Sequence, residues 1–253
     1  MAPARTAAID QAAVSATTSH AAKIGPNAVL QLIQALTAAG ADDAMQAIFA
    51  EAGASDWLAQ PPSEMIDEKR VASIHQAVRR LLPPDRAVAI LSDAGLRTGD
   101  YILANRIPKF AQVILKLLPA PLAARMLVKA ITAHSWTFAG SGRFSGVVGR
   151  NVTFEIAGNP IIAGEHADKM VCVWHAAVFQ RLFQVLVSPK SRAAEIACGA
   201  RGDPSCRFVV NWKTALEPVC AKADPTSGAT CCGNCSDASL TSGNDAGAKP
   251  SIS

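Results

Sequence analysis

The sequence predicts an α+β fold with a helical N-terminal half, an antiparallel sheet beyond residue 134, a late helix and a C-terminal hairpin. Three observations predict it. Residues 25–133 repeat apolar side chains at helical spacing. Residues 140–156 change to glycine punctuation and two-residue alternation. Near the C-terminus two short arms flank a Gly-Asp-Pro turn. Helices followed by strands, rather than alternating with them, point to a segregated antiparallel arrangement.

The elements follow in order. "GPNAVLQLIQAL" sets Pro26 at a first helical position and Val29, Leu32, Ile33 and Leu36 on one face, ending near Gly40. Further helices are expected at 42–52, 63–82 and 85–106; Ser63 and Asp67 are N-terminal signals for the second, and Pro83-Pro84 is its stop. Residues 107–131 give two more, divided by Pro119 and Pro121. Val152, Phe154 and Ile156 alternate with Thr153 and Glu155 as in a half-buried strand. A helix at 167–187 precedes hairpin arms at 192–198 and 206–212, joined by "GARGDPS". Residues 1–24 and 216–253 lack hydrophobic periodicity and read as disordered tails around a body at 25–215.

Composition narrows the function. Of 253 residues, 50% are hydrophobic and 17% charged, enough for a packed core. The net charge of +4 comes without a dense Lys/Arg run, so nucleic-acid binding is not expected. The N-terminus lacks a signal-peptide core, and the longest apolar segment, 171–187, is broken by His175, Gln180, Arg181 and Gln184. A cytoplasmic protein is expected. Its seven cysteines should then be free or metal-bound rather than paired.

Cys198 and Cys206 lie on opposite arms of the hairpin near its turn, Glu195 sits just before, and Cys172 lies near the start of the preceding helix. These four could surround a tetrahedral metal ion. His166 and His175 are alternative fourth ligands, and buried cysteines beside a surface glutamate are the plain alternative. "GSGRFSG", 140–146, is followed by strand-like residues and no helix, which suits tight turns better than a dinucleotide loop. "RGD", 201–203, makes a turn. Cys232 and Cys235 form a CxxC pair in the C-terminal tail, with no histidine nearby. His134, Trp136 and Phe138 gather an imidazole and two rings at the helix-to-sheet junction, where a pocket could be lined. Residues 110–131 combine an apolar face with Lys116, Arg125 and Lys129, a pattern that suits a membrane surface and more commonly packs on a core.

Three segments, "TGDYILANRIP", "LPAPLAARMLVKAITAHSWTFAGSGRF" and "CGARGDPSCRFVV", resemble the 4-vinyl-reductase domain family, the first two its bacteriochlorophyll-biosynthesis branch in particular. The resemblance implies a fold shared with vesicle-tethering TRAPP subunits. It also implies a closed, structural zinc site at Cys172, Glu195, Cys198 and Cys206, by correspondence with the family's sensory modules. As function it implies binding of a Mg-porphyrin or chlorophyllide intermediate by a carrier serving pathway enzymes such as magnesium chelatase and a methyltransferase. The alternative is reduction of the 8-vinyl group (4-vinyl in older numbering) to ethyl, for which the chain shows no redox-cofactor motif; a stand-alone aromatic sensor is a third reading. His134, Trp136, Phe138 and His175 are the expected pigment-facing residues. Peripheral membrane association and a homodimer complete the expectations.

Overall fold

The computed structural model describes residues 22–212, and the fold is α+β. In chain order the elements are β1 (Lys23–Ile24), α1 (Asn27–Ala38), α2 (Asp42–Glu51), α3 (Asp56–Ala59), β2 (Ile66–Asp67), α4 (Glu68–Leu81), α5 (Pro84–Asn105), α6 (Lys109–Leu117), α7 (Ala120–Ala133), α8 (Trp136–Ala139), β3 (Arg143–Val148), β4 (Val152–Ala157), α9 (Val173–Leu186), β5 (Arg192–Ala197) and β6 (Cys206–Asn211). The larger sheet runs β3-β4-β6-β5, antiparallel throughout. α9 packs on β5 and β6, α5 packs on α9, and α1 packs on α5.

Local chemistry accounts for most boundaries. α1 buries Ala28, Val29, Leu32, Ala35 and Leu36, the stripe that its spacing anticipates. Asp67 caps α4, its carboxylate accepting from the Lys69 N–H at 2.8 Å. Ser63 does not start that helix, because Ile66–Asp67 pairs with Lys23–Ile24 as a two-stranded ribbon. Ile24, expected in the tail, is buried there, so the ordered body begins before residue 25. The rest of the expected tails, with Cys232 and Cys235, lies outside the described residues.

The sheet's inner face is aromatic. Phe154 of β4 and Phe208 of β6 meet Phe179 of α9 at ring-centre distances of 4.4 and 5.5 Å. Of the glycines expected to make turns in "GSGRFSG", Gly140 does so with φ 52°, whereas Gly146 lies inside β3 opposite Phe154. A β-carbon at Gly146 would sit 2.8 Å from Val128 of α7, so its bareness lets that helix lie against the sheet.

Two glycines within α5 serve the same purpose on a larger scale. A β-carbon at Gly95 would lie 2.4 Å from the Trp174 carbonyl oxygen and 2.7 Å from Ala177 Cβ; one at Gly99 would lie 2.6 Å from Arg181 Cβ. Glycine costs an isolated helix about 1 kcal/mol relative to alanine. Here that cost accompanies close approach of α9. Gly95→Ala is therefore expected to lower stability by about 1–2 kcal/mol despite the gain in helix propensity, since overpacking outweighs it. A chemical-denaturation midpoint that rises in Gly95→Ala would contradict this account.

Candidate metal centre

Cys172 is the residue just before α9. α9 starts at Val173, six residues later than expected, because residues 163–172 run as loop against the hairpin turn, with the Ala167 N–H bonded to the Ala200 carbonyl. Cys206 opens β6, and its inward phase is set by the alternation that also buries Phe208 and Val210. Glu195 stands opposite Phe208, hence on the same face. Regular alternation would then turn Cys198 away. A bulge prevents this: the register passes from Glu195–Phe208 to Ala197–Arg207, leaving Ile196 as the extra residue. The inserted residue reverses the phase and returns Cys198 to the inner face. Gly202, at φ 92°, completes the turn, and Asp203 fastens it by accepting the Cys198 N–H at 2.8 Å.

The donor atoms of Cys172, Glu195, Cys198 and Cys206 all lie within 4.8 Å of one another. Cys172 Sγ is 3.5 Å from Cys206 Sγ and 3.9 Å from Cys198 Sγ. All three thiols are free and buried. Metal–sulfur bonds of about 2.3 Å in a tetrahedron place sulfurs about 3.8 Å apart, so the spacing suits a shared ion. Glu195 Oε2 accepts the Cys172 backbone N–H at 2.8 Å, while Oε1 is buried without a partner. An orphaned carboxylate oxygen beside three thiols is what a missing cation would satisfy.

Charge in the cluster is arranged accordingly. Hydrogen bonds from Cys172 and Cys198 pull Cys206 down to about 4, against burial. The same two contacts seen from Cys172, with Cys198 and Cys206 as neighbours, push that thiol up. Burial, reinforced by Cys198, raises Glu195 to about 8. Without a cation the group therefore retains protons that a metal would displace.

Asn159 is a member of the site that its sequence context does not announce. Its Oδ1 accepts the Ile161 N–H at 3.2 Å, which fixes the amide so that Nδ2 donates to Cys172 Sγ and Cys206 Sγ at 3.4 and 3.5 Å. The Gly199 N–H also points at Cys206 Sγ, at 3.4 Å. Such donors stabilise thiolates and orient them. Asn-Pro reads locally as a turn and nothing more.

The other expected residues separate. His166 is exposed, and neither it nor His175 belongs to the donor group. His134 is exposed at the end of α7, its Nδ1 hydrogen-bonded to the Ala130 carbonyl at 2.9 Å. Trp136 is 58% exposed. Phe138 and His175 come together, with ring centres 6.3 Å apart, and His175 is buried with both ring nitrogens lacking a partner. On the far side of α9, a groove of about 250 Å³ between α5, α9 and β5 reaches Glu195 over Met170, Val173, Ala176 and Ala193. It shares Leu96 and Gln180 with a second groove of about 470 Å³ lined by Arg97 and Arg181. Both arginines are paired there, with Asp93 and Asp100 respectively.

Comparison with known proteins places this architecture. Residues 152–212, which hold all four donors, match the 4-vinyl-reductase domain. The chain is 52% identical over 186 residues to the bacteriochlorophyll synthase 23 kDa chain of Cereibacter sphaeroides, covering 74% of this chain and 89% of that one. It belongs to that protein's family. A second member, the bacteriochlorophyll synthase 23 kDa chain of Rhodobacter capsulatus, is 44% identical over 191 residues, 76% of this chain and 88% of the relative. Among solved structures, an H-NOX protein from S. oneidensis aligns over 76% of this chain and 100% of its own, at 11% identity and a TM-score of 0.46. In this bacteriochlorophyll synthase 23 kDa family member no described helix is long and apolar enough to cross a membrane.

Proposed function

We propose that this chain acts in bacteriochlorophyll biosynthesis by binding a Mg-tetrapyrrole intermediate and passing it between pathway enzymes, and that Cys172, Glu195, Cys198 and Cys206 hold a structural zinc ion. The observation that carries the biosynthetic role is the 52% identity to the C. sphaeroides bacteriochlorophyll synthase 23 kDa chain over 89% of its length. Three thiols and a carboxylate form a borderline-soft donor set suited to zinc, and four protein donors leave no open position for a reacting water. Bound zinc would supply cross-linking. Cys172 and Glu195 fix the start of α9 to β5, Cys198 and Cys206 close the hairpin, and Asn159 orients two of the sulfurs.

A carrier needs an apolar contact surface and, for a magnesium macrocycle, an imidazole able to donate to the metal. His175, neutral and unpartnered beside Phe138, supports that role. A carrier needs no hydride donor. Consistent with this, "GSGRFSG" leads into β3 rather than a helix and so lacks the strand-loop-helix context of a dinucleotide site.

The test is titration of purified protein with Mg-protoporphyrin and divinyl protochlorophyllide, followed by absorbance, then addition of NADPH or reduced ferredoxin and mass analysis. Saturable spectral shifts, weakened in His175→Phe, without a two-hydrogen mass gain are expected. A two-hydrogen gain would assign the reductase reading instead, and no spectral shift with either pigment would remove the carrier reading.

A further inference from the structure

The apolar stripe of α6 faces the wrong way for a core helix. Phe110, Val113, Ile114 and Leu117 recur at helical spacing on one face, and all four are exposed, Phe110 at 70% and Leu117 at 80%. The inward face carries Leu115 and the polar Gln112, whose amide is spent on the Ile107 carbonyl at 2.9 Å. α7 continues the pattern: Leu122 and Met126 are exposed beside Arg125 and Lys129. Of the eleven large apolar side chains exposed among the described residues, six lie on these two helices, and Trp136 follows directly after α7.

Charge identifies the partner. Between Tyr101 and Phe154 the sequence has seven lysines and arginines and no aspartate or glutamate, more positive charge than the net +4 of the whole chain. Lys109, Lys116, Arg125 and Lys129 are exposed and, among the described residues, none has an acidic partner. An outward stripe of large apolar side chains, rimmed by unpaired cations, matches the interface of an anionic bilayer, where rings and aliphatic chains enter the acyl boundary while ammonium groups meet phosphates.

We propose that α6 and α7 form a docking surface for anionic phospholipid membranes, with Phe110, Leu117 and Met126 inserting and Lys109, Lys116 and Arg125 contacting headgroups. The helices lie along the surface and do not cross it. The expectation that residues 110–131 would pack on the core holds for the inner half of α7 and fails for the stripe of α6.

Flotation of the full chain with vesicles of phosphatidylcholine mixed with phosphatidylglycerol, and with phosphatidylcholine alone, tests this. Wild type should float with the anionic vesicles only, and 1 M salt, where the Debye length is about 3 Å, should release much of it. Phe110→Ser with Leu117→Ser, and separately Lys109→Glu with Lys116→Glu, should each weaken partitioning about ten-fold or more. Both pairs are exposed, so melting temperatures should match wild type. The proposal is overturned if wild type ignores anionic vesicles, if it binds neutral ones equally, or if both variants partition as wild type does. It is also overturned if the apolar variant only converts a dimer to monomer, which would make the face a self-association surface.

Discussion

Cys206→Ser is expected to abolish metal retention and to lower stability by about 3 kcal/mol or more, a fall in Tm of roughly 10 °C for a domain of this size. The reason is the geometry of the donors. Cys172 precedes α9, Glu195 lies on β5, Cys198 enters the turn and Cys206 opens β6, so one ion joins segments that are otherwise held by weaker contacts. Removing the ion leaves a buried carboxyl group with an unpartnered oxygen among three thiols. Asn159→Ala should be milder, weakening metal affinity about 10- to 100-fold by removing the amide donor to two sulfurs.

The metal-free state carries its own signature. Glu195 is raised from 4.5 to about 8 in the folded chain, so the stability from its neutral form is complete below pH 4.5 and is lost as pH rises through 8. Metal loading should reverse that trend, since the ion displaces the protons. Metal content and denaturation curves of wild type and both variants, with and without chelator, check these statements. A wild-type protein that purifies without metal and melts at one temperature whether or not zinc is added would refute the clamp.

Acid is expected to unfold the protein through His75 and His175. Both are fully buried, and burial, followed by the nearby Arg79 guanidinium, depresses each to about 3. His75 Nε2 lies 2.9 Å from the Ala28 carbonyl, which can only accept, so the neutral ring carries its proton there and Nδ1 is left without a partner. His175 lies among the rings of Phe138, Trp174, Phe179 and Phe208. The unfolded chain protonates such rings near 6.5. The stability their neutral forms provide is therefore complete above about pH 6.5 and is lost as pH falls toward 3, at up to about 1.4 kcal/mol per pH unit for each ring. His175→Phe removes one titrating group and two unpartnered polar atoms. It should leave stability at pH 7 near or above wild type and roughly halve the acid slope over that window. Denaturant midpoints measured from pH 4 to 8 decide it; an unchanged slope in His175→Phe would show that His175 does not titrate on unfolding.

What could be read from the sequence was local. The stripe of α1 follows from 3.6-residue periodicity, the Asp67 cap from a carboxylate within reach of free N–H groups, and β4 from two-residue alternation. The four donors were visible as residue types gathered by a hairpin, with Cys172 supplied by family resemblance as much as by position. The outward stripe of α6 has the same spacing as an inward one, and only packing shows which it is. Phe138 and His175 meet where Trp136 and His134 do not, because the chain turns through α8 between helix and sheet.

By itself, then, the sequence determined the order of helices and strands, most caps and turns, and the identities of three thiols and one acid able to meet a metal. Each of these depends on neighbours within one helical turn or one strand. Tertiary structure alone decided that Ile196 bulges and brings Cys198 back to the inner face, that Asn159 serves the sulfurs, and that Gly95 and Gly99 yield space to α9. Those outcomes depend on strand register and on the approach of segments up to about eighty residues apart, as Gly95 and Trp174 are, which no local pattern encodes.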